Sequence, residues 1–499
     1  MSTETAAPSA RRSRDAALTV GALLVWLFLT PAEWAAWPPL RHAWAYNFWQ
    51  YLPGFAGPTL AAIALSFALT RPRRLWIEFA QWLSASLRTL PAAVVQPAFF
   101  VLLTGALWLL REREITGDSL ILSAAVNAGY AYIFPEVGAT ALGALGYRAL
   151  APLGFGVFPA AQFASCVFGA TTALILTKAC SRFGDGRSGL GAPLAALILS
   201  AGLLRVFAGH IEVYPAVLMF SSLYIWAAMG ALDGRIGLWT AALALGFTIW
   251  SHVAALFLLP SLWVLCGLTL PSPSVIRWFR RSLGATVWAA LPGSLFLLWA
   301  LTLGPEADAD RLLSKMLEIA GVEPAALPKS WWVRFTTDAP IPGVGLDYVF
   351  LSAAHFKYLA NAFHVLAPAG LIILVVSLAR TPREFLSPKS LFLGSAAAAT
   401  GVYATLVRPF WGPFDWDLFA MTGLFFGALA AQVLASPPAR RLFKEAVAIA
   451  IGFQLVYVGL PFVLLAAVET RPAGPFATDV FPTEFFRGAP PSPPLLPWL

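Results

Sequence analysis

The chain has 499 residues, 59% of them hydrophobic and 12% charged, with 33 Lys and Arg against 25 Asp and Glu for a net charge of +8. About a quarter of the residues of an ordinary soluble domain are charged, so this composition excludes one and points to a chain that crosses a membrane many times. Its apolar runs are continuous rather than alternating, which argues against a β-barrel, and lipid offers the backbone no outside hydrogen-bond partner, so the expected fold is all-α: a polytopic transmembrane helical bundle.

In chain order, Arg11-Arg12-Ser13-Arg14 precedes the first apolar run. No small-residue cleavage site follows, so a retained helix is expected rather than an export signal. Breaking the runs at charges and prolines predicts about thirteen spans, near 16–30, 55–70, 91–110, 155–178, 189–208, 213–231, 236–251, 253–270, 283–303, 359–379, 390–408, 418–435 and 446–467. Two long segments interrupt them. Residues 111–154 hold two apolar stretches too short to span, suited to helices lying in the membrane interface. Residues 304–356 open on an amphipathic stripe of Leu312, Leu313, Met316 and Leu317, followed by Lys329-Ser-Trp-Trp-Val-Arg334. A proline-rich tail begins after Glu469. Cys166, Cys180 and Cys266 fall in apolar runs at no metal-site spacing and read as small core residues.

With the N-terminus placed in the cytoplasm and the spans alternating, most Lys and Arg fall inside and most acids outside, as the positive-inside rule requires. The basic balance then reflects orientation and anionic headgroups, with no nucleic acid implied. All five histidines (His42, His210, His252, His355, His364) map to the outer face, together with Asp118, Glu136, Glu212, Asp415 and Asp417. The expected protein is therefore integral to a plasma or inner membrane, with its chemistry on the periplasmic or extracellular side.

The stretch from Arg111 carries the most specific pattern. Gly117-Asp118-Ser119 follows a span, then an apolar stretch, then Phe134-Pro135-Glu136 and Leu142-Gly143. Pro135-Glu136 suits the start of a helix, with proline in the first turn and an acid at the positive dipole end. This layout resembles the first outer loop of the GT-C glycosyltransferases, integral membrane enzymes of the protein-mannosyltransferase and arabinosyltransferase kind. The resemblance implies a polyprenyl-phosphate-linked sugar donor, a glycan, lipid or protein acceptor, and an acid in that loop. It places two extra helices and a linker at 1–90, a catalytic transmembrane module at 91–303 with outer loop 111–154, and an outer loop at 304–358. The last helices then lie at 359–467 and the tail at 468–499. Where many members have His-Pro-Pro, this chain has Phe134-Pro135-Glu136, so no role passes to that histidine.

Transfer of a sugar from a lipid phosphate to a hydroxyl needs a base near the acceptor and cations or helix N-termini near the leaving phosphate. Asp118 is the expected base. Arg205, Arg334, Lys357 and Arg408 are the candidate phosphate partners, and Glu136, His210, Glu212, His252, Asp415 and Asp417 the remaining candidate substrate contacts. Each also has a structural reading: Arg205 as a headgroup anchor, Glu212 as a dipole partner, Asp415 or Asp417 as a helix cap. If a divalent cation such as Mg or Mn takes part, Asp118, Asp415 and Asp417 are its candidate ligands. Two other readings compete. One is an O-antigen ligase or polymerase, which would rely on Arg and His in the late loop. The other is a transporter or flippase, which would place ionisable groups at mid-membrane, where this chain has almost none.

Overall fold

In the computed structural model, residues 91–112, 136–184, 191–302, 350–407, 412–436 and 440–467 are described, with a few isolated positions besides. Every regular element among them is a helix. They are α1 (Ala92–Leu109), α2 (Val137–Leu150), α3 (Val157–Cys180), α4 (Gly191–Leu199), α5 (Leu203–Phe207), α6 (Tyr214–Leu232), α7 (Leu238–Ser251), α8 (Leu259–Leu268) and α9 (Val275–Thr302). Then follow α10 (Ala353–Leu366), α11 (Pro368–Arg380), α12 (Pro388–Leu406), α13 (Ala420–Leu434), α14 (Arg440–Gln454) and α15 (Leu460–Ala467). Short 3-10 turns at Val253–Leu258 and Gly412–Phe419 lead into α8 and α13.

Each predicted span from residue 91 onward coincides with helix in the structure, and six helices among the described residues are long and apolar enough to cross a membrane. The expected spans at 16–30 and 55–70, the amphipathic stripe at 312–317 and the tail lie outside the described residues. Two predicted spans are broken. The 189–208 run divides into α4 and α5, and the 359–379 run bends by 96° between α10 and α11. Pro368 explains the second break, since proline has no N–H to give the preceding turn and pushes the residue before it out of the α region. Ala367 accordingly sits at φ −152° and ψ 51°.

The two breaks answer each other. Gly202 N–H donates to Val365 O at 2.8 Å. Gln454 accepts from Ala369 N–H at 3.1 Å and donates through Nε2 to Leu197 O at 2.6 Å and Ser200 Oγ at 2.9 Å. One buried amide thus meets backbone groups that both interruptions release, which removes the cost of breaking a helix in an apolar setting.

Segments predicted to share a membrane face do meet. At the expected inner end, Lys389 Nζ pairs with Asp233 at 2.9 Å and donates to Arg182 O, and Gly184 N–H donates to Gln432 at 3.1 Å. The other end gathers α1, α2, α5, the start of α6 and the turn before α13.

Candidate functional site

The site is built on Glu112, just past the end of α1. Its backbone is held from both sides: its N–H donates to Ala208 O at 2.8 Å and its carbonyl accepts from Gln162 Nε2 at 2.6 Å. Gly209 makes this approach possible. It sits at φ +68°, and a Cβ there would lie 2.5 Å from Arg111 Cβ, so only glycine admits both the turn and the neighbour.

The Glu112 carboxylate then accepts two charged bonds. Arg205 Nη2 donates to Oε1 at 2.8 Å, and His210 Nδ1 lies 2.6 Å from Oε2. The opposite ring nitrogen, His210 Nε2, lies 3.1 Å from Asp417 Oδ2. Glu112, Arg205, His210 and Asp417 are all at most 5% exposed. A histidine that faces a carboxylate at each nitrogen is best satisfied with both nitrogens protonated. Burial alone would push the Glu112 carboxyl up, but the charges and hydrogen bonds of His210 and Arg205 outweigh it and hold the group at about 2. Burial would likewise lower His210, yet Glu112 and Asp417 raise it to about 9. Two cations and two carboxylates therefore balance within one buried group. The Arg205 guanidinium also lies 4.3 Å from the centre of the Phe462 ring, and His210 packs on Trp416 at 5.7 Å.

A second acid–histidine pair lies nearby. Glu136 is the residue before α2, as expected, and its Oε1 is 3.8 Å from His252 Nε2. His252 Nδ1 accepts from Ala254 N–H at 3.0 Å, which fixes the neutral ring with its proton on Nε2, toward Glu136. Burial lowers His252 to about 4, so this ring is neutral where His210 is charged. The Tyr214 ring lies against His252 with centroids 5.6 Å apart. Its phenol is within electrostatic reach of Asp417, Glu136 and Glu212, which joins the two acid–histidine groups in one region.

Beside them, α2, α3 and the start of α6 line a small open pocket. Leu122, Ala139, Gly143, Phe168 and Val213 make its walls largely apolar, and Glu212 adds a carboxylate. His210, Glu212 and Asp417 each offer a ligand atom within 4.8 Å of the others, a nitrogen and oxygen set that suits a divalent cation. Of the expected metal ligands Asp417 belongs to it; the side chains of Asp118 and Asp415 lie outside the described residues. A cation could use His210 only once Nε2 has lost its proton, because a metal-bound imidazole needs that lone pair.

The structure thus brings together Arg205, His210 and Asp417, with Glu212 beside them, and pairs Glu136 with His252. Asp118, Arg334 and Arg408 lie outside the described residues. For Lys357, on α10, and Asp415, in the turn before α13, the backbone alone is described. Sequence reasoning missed Glu112, Gln162 and Tyr214. The available signal was Arg205: an arginine at the end of an apolar run, if buried, needs a buried carboxylate. Glu112 is the acid next to the matching end of α1.

No family profile matches this chain, and no curated relative does. Among solved structures it is similar to ArnT from Cupriavidus metallidurans in the apo state, at 15% identity and a TM-score of 0.47, over 76% of this chain and 77% of that one. It is also similar to the oligosaccharyltransferase of Archaeoglobus fulgidus in the apo form, at 12% identity and a TM-score of 0.38, over 73% of this chain and 56% of that one. At such identities no residue of either corresponds securely to a residue here, and the chemistry of the site rests on its own side chains.

Proposed function

We propose that this chain is a GT-C-type membrane glycosyltransferase that moves a sugar from a polyprenyl-phosphate-linked donor to an acceptor hydroxyl on the outer face of the membrane. One observation carries the reading: the buried group of Glu112, Arg205, His210 and Asp417, which ties the root of the first outer loop to two later outer turns. With it goes the resemblance of that loop, from Gly117 to Gly143, to the GT-C pattern.

In the reaction the bond between the sugar's anomeric carbon and the phosphate oxygen breaks, and the electron pair leaves with the phosphate. The acceptor oxygen forms the new bond and gives its proton to a carboxylate. Glu112 is poorly suited to be that base, since both its oxygens are engaged and its carboxyl is held near 2. It is well suited to fix the loop. We assign the base role to Asp118, a few residues further along the same loop. Glu136 with His252, and Glu212 at the pocket, are the proposed sugar contacts; Arg334, Arg408 and Lys357 are the proposed phosphate contacts. A divalent cation held by Glu212 and Asp417, and by His210 once its Nε2 proton has left, would supply charge stabilisation at the leaving phosphate.

The test is transfer of a labelled sugar from a polyprenyl-phosphate donor by purified protein in vesicles. Asp118→Asn should lower turnover about 100-fold or more with an unchanged melting temperature, in line with loss of a general base. Glu112→Gln should lower both, because removing one partner of a buried ion pair costs about 3–5 kcal/mol. Full activity in Asp118→Asn would end the base assignment. Broken helices are also used by transporters, but here the released backbone groups meet Gln454 and Val365 rather than an open path.

A further inference from the structure

We infer that the N-terminal end of α10 is a phosphate subsite, in which His355 donates through Nε2–H to a phosphate oxygen of a membrane-embedded polyprenyl phosphate. The inference rests on the proposed reading for the identity of the lipid, and on the following geometry for the site itself. α10 has 14 residues and is capped by Ser352, whose Oγ accepts the His355 N–H at 3.1 Å. Its first turn contains no acid. No acid of that turn answers the positive end of the helix, and an anion is the group it favours.

His355 supplies an independent sign of a ligand. Its side chain turns back to the helix start, where Nδ1 accepts the Leu351 N–H at 3.1 Å. That bond leaves the proton of the neutral ring on Nε2. The residue is 1% exposed, and Nε2 meets no acceptor among the described residues. A buried donor left in this way is costly, and a phosphate oxygen is a group that would satisfy it. Burial lowers the pKa of His355, which keeps the ring in the form that has one donor and one acceptor. Leu351 is the one non-glycine with positive φ among the described residues, at 60°. A strained leucine held by the ring that carries the orphan donor is the kind of local strain that accompanies ligand sites.

The surroundings choose between a free phosphate and one carried on a lipid. Leu351 and Phe356 are 52% and 55% exposed beside the buried ring, an apolar rim for a hydrocarbon chain. Tyr358, one turn further on, packs against Phe419 at 5.4 Å, and Phe419 ends the 3-10 turn that carries Asp417. The first turns of α10 are thus packed on the turn that carries Asp417. Lys357, expected from the sequence to meet phosphate, is on the same stretch of α10.

The experiment uses the full chain in phosphatidylcholine vesicles, with undecaprenyl phosphate as the probe and undecaprenol and phosphatidylglycerol for comparison. Binding is followed by tryptophan fluorescence and native mass spectrometry. The prenyl phosphate should bind the wild type about tenfold or more tightly than the alcohol or the phosphatidylglycerol, as expected for one hydrogen bond to a charged group. In His355→Asn the side-chain oxygen can still accept the Leu351 N–H, but no donor reaches the Nε2 position. That variant should bind about tenfold more weakly at an unchanged melting temperature, and His355→Gln should recover part of the affinity. Equal binding by wild type and His355→Asn overturns the subsite and leaves His355 as a structural clasp on Leu351. Equal affinity for phosphatidylglycerol overturns it in favour of an ordinary headgroup contact. Binding that depends on His355 without sugar transfer would sink the proposed reaction and keep the subsite; transfer with unaltered binding in His355→Asn would do the reverse.

Discussion

His210 decides how the candidate site responds to pH. Its folded value is raised from the ordinary 6.5 to about 9, so the stability it contributes is complete below 6.5 and fades as pH climbs to about 9. Glu112 works in the opposite sense: its value falls from 4.5 to about 2, so its contribution is complete above 4.5 and is lost toward pH 2. The buried group should therefore be firmest between about 4.5 and 6.5 and loosen on the alkaline side first. A melting curve recorded at intervals from pH 5 to 10 should show the wild type weakening above 6.5. His210→Gln, less stable throughout, should show a flatter alkaline limb. An equally steep limb in that variant would mean that another group sets the decline. His252, neutral and lowered to about 4, should not add to it.

At the scale of the element, the close crossing of the loop after α5 with the residues after α1 determines whether the site forms. Gly209 gives way to nothing larger, because it is left-handed and its missing Cβ would meet Arg111. Gly209→Ala should cost about 1–3 kcal/mol of stability through strain alone. It should also lower activity by displacing His210, which is the next residue. A variant with wild-type melting and turnover would show that the crossing is looser than drawn. Gly138 plays a similar part where α2 meets Trp250, with a Cβ position 2.4 Å from that ring. Elements of this kind were only partly legible in the sequence. Long apolar runs announced the helices, because period and length decide burial in lipid. The break at Ser200–Gly202 was not visible, because its backbone groups are answered by Gln454, more than 250 positions away. Glu112 was hidden for a related reason. It sits between two arginines in a polar stretch that reads as solvated, and its burial depends on Ala208, Gln162 and Arg205, none of them local.

For the whole molecule, the alternation of spans made one end of the bundle inner and the other outer, and the contacts group the segments accordingly. Lys389, Asp233 and Arg182 meet at one end; Glu112, His210, Asp417, Glu136 and His252 gather at the other. The grouping was legible because charge bias and span parity are global properties that survive local errors, as the broken runs show. Which end faces the cytoplasm is open to direct measurement. The three native cysteines are buried, so single introduced thiols report cleanly. Ser272→Cys, in the exposed turn before α9, should react with a membrane-impermeant maleimide only from the cytoplasmic side. Leu153→Cys, 73% exposed after α2, should react only from outside. The reverse pattern would invert the orientation and, with it, the side on which transfer is proposed.

The four charges at the heart of the site are also made in order. A ribosome adding about 5–20 residues per second delivers Glu112, Arg205 and His210 well before Asp417, which lies 207 positions after His210. For some ten to forty seconds at that rate the first three stand without the fourth. In that interval Arg205 and His210 share the single carboxylate of Glu112, and the turn before α13 brings the second acid, Asp417, to the free side of the His210 ring. Assembly of the last helices then completes the charge balance of the site.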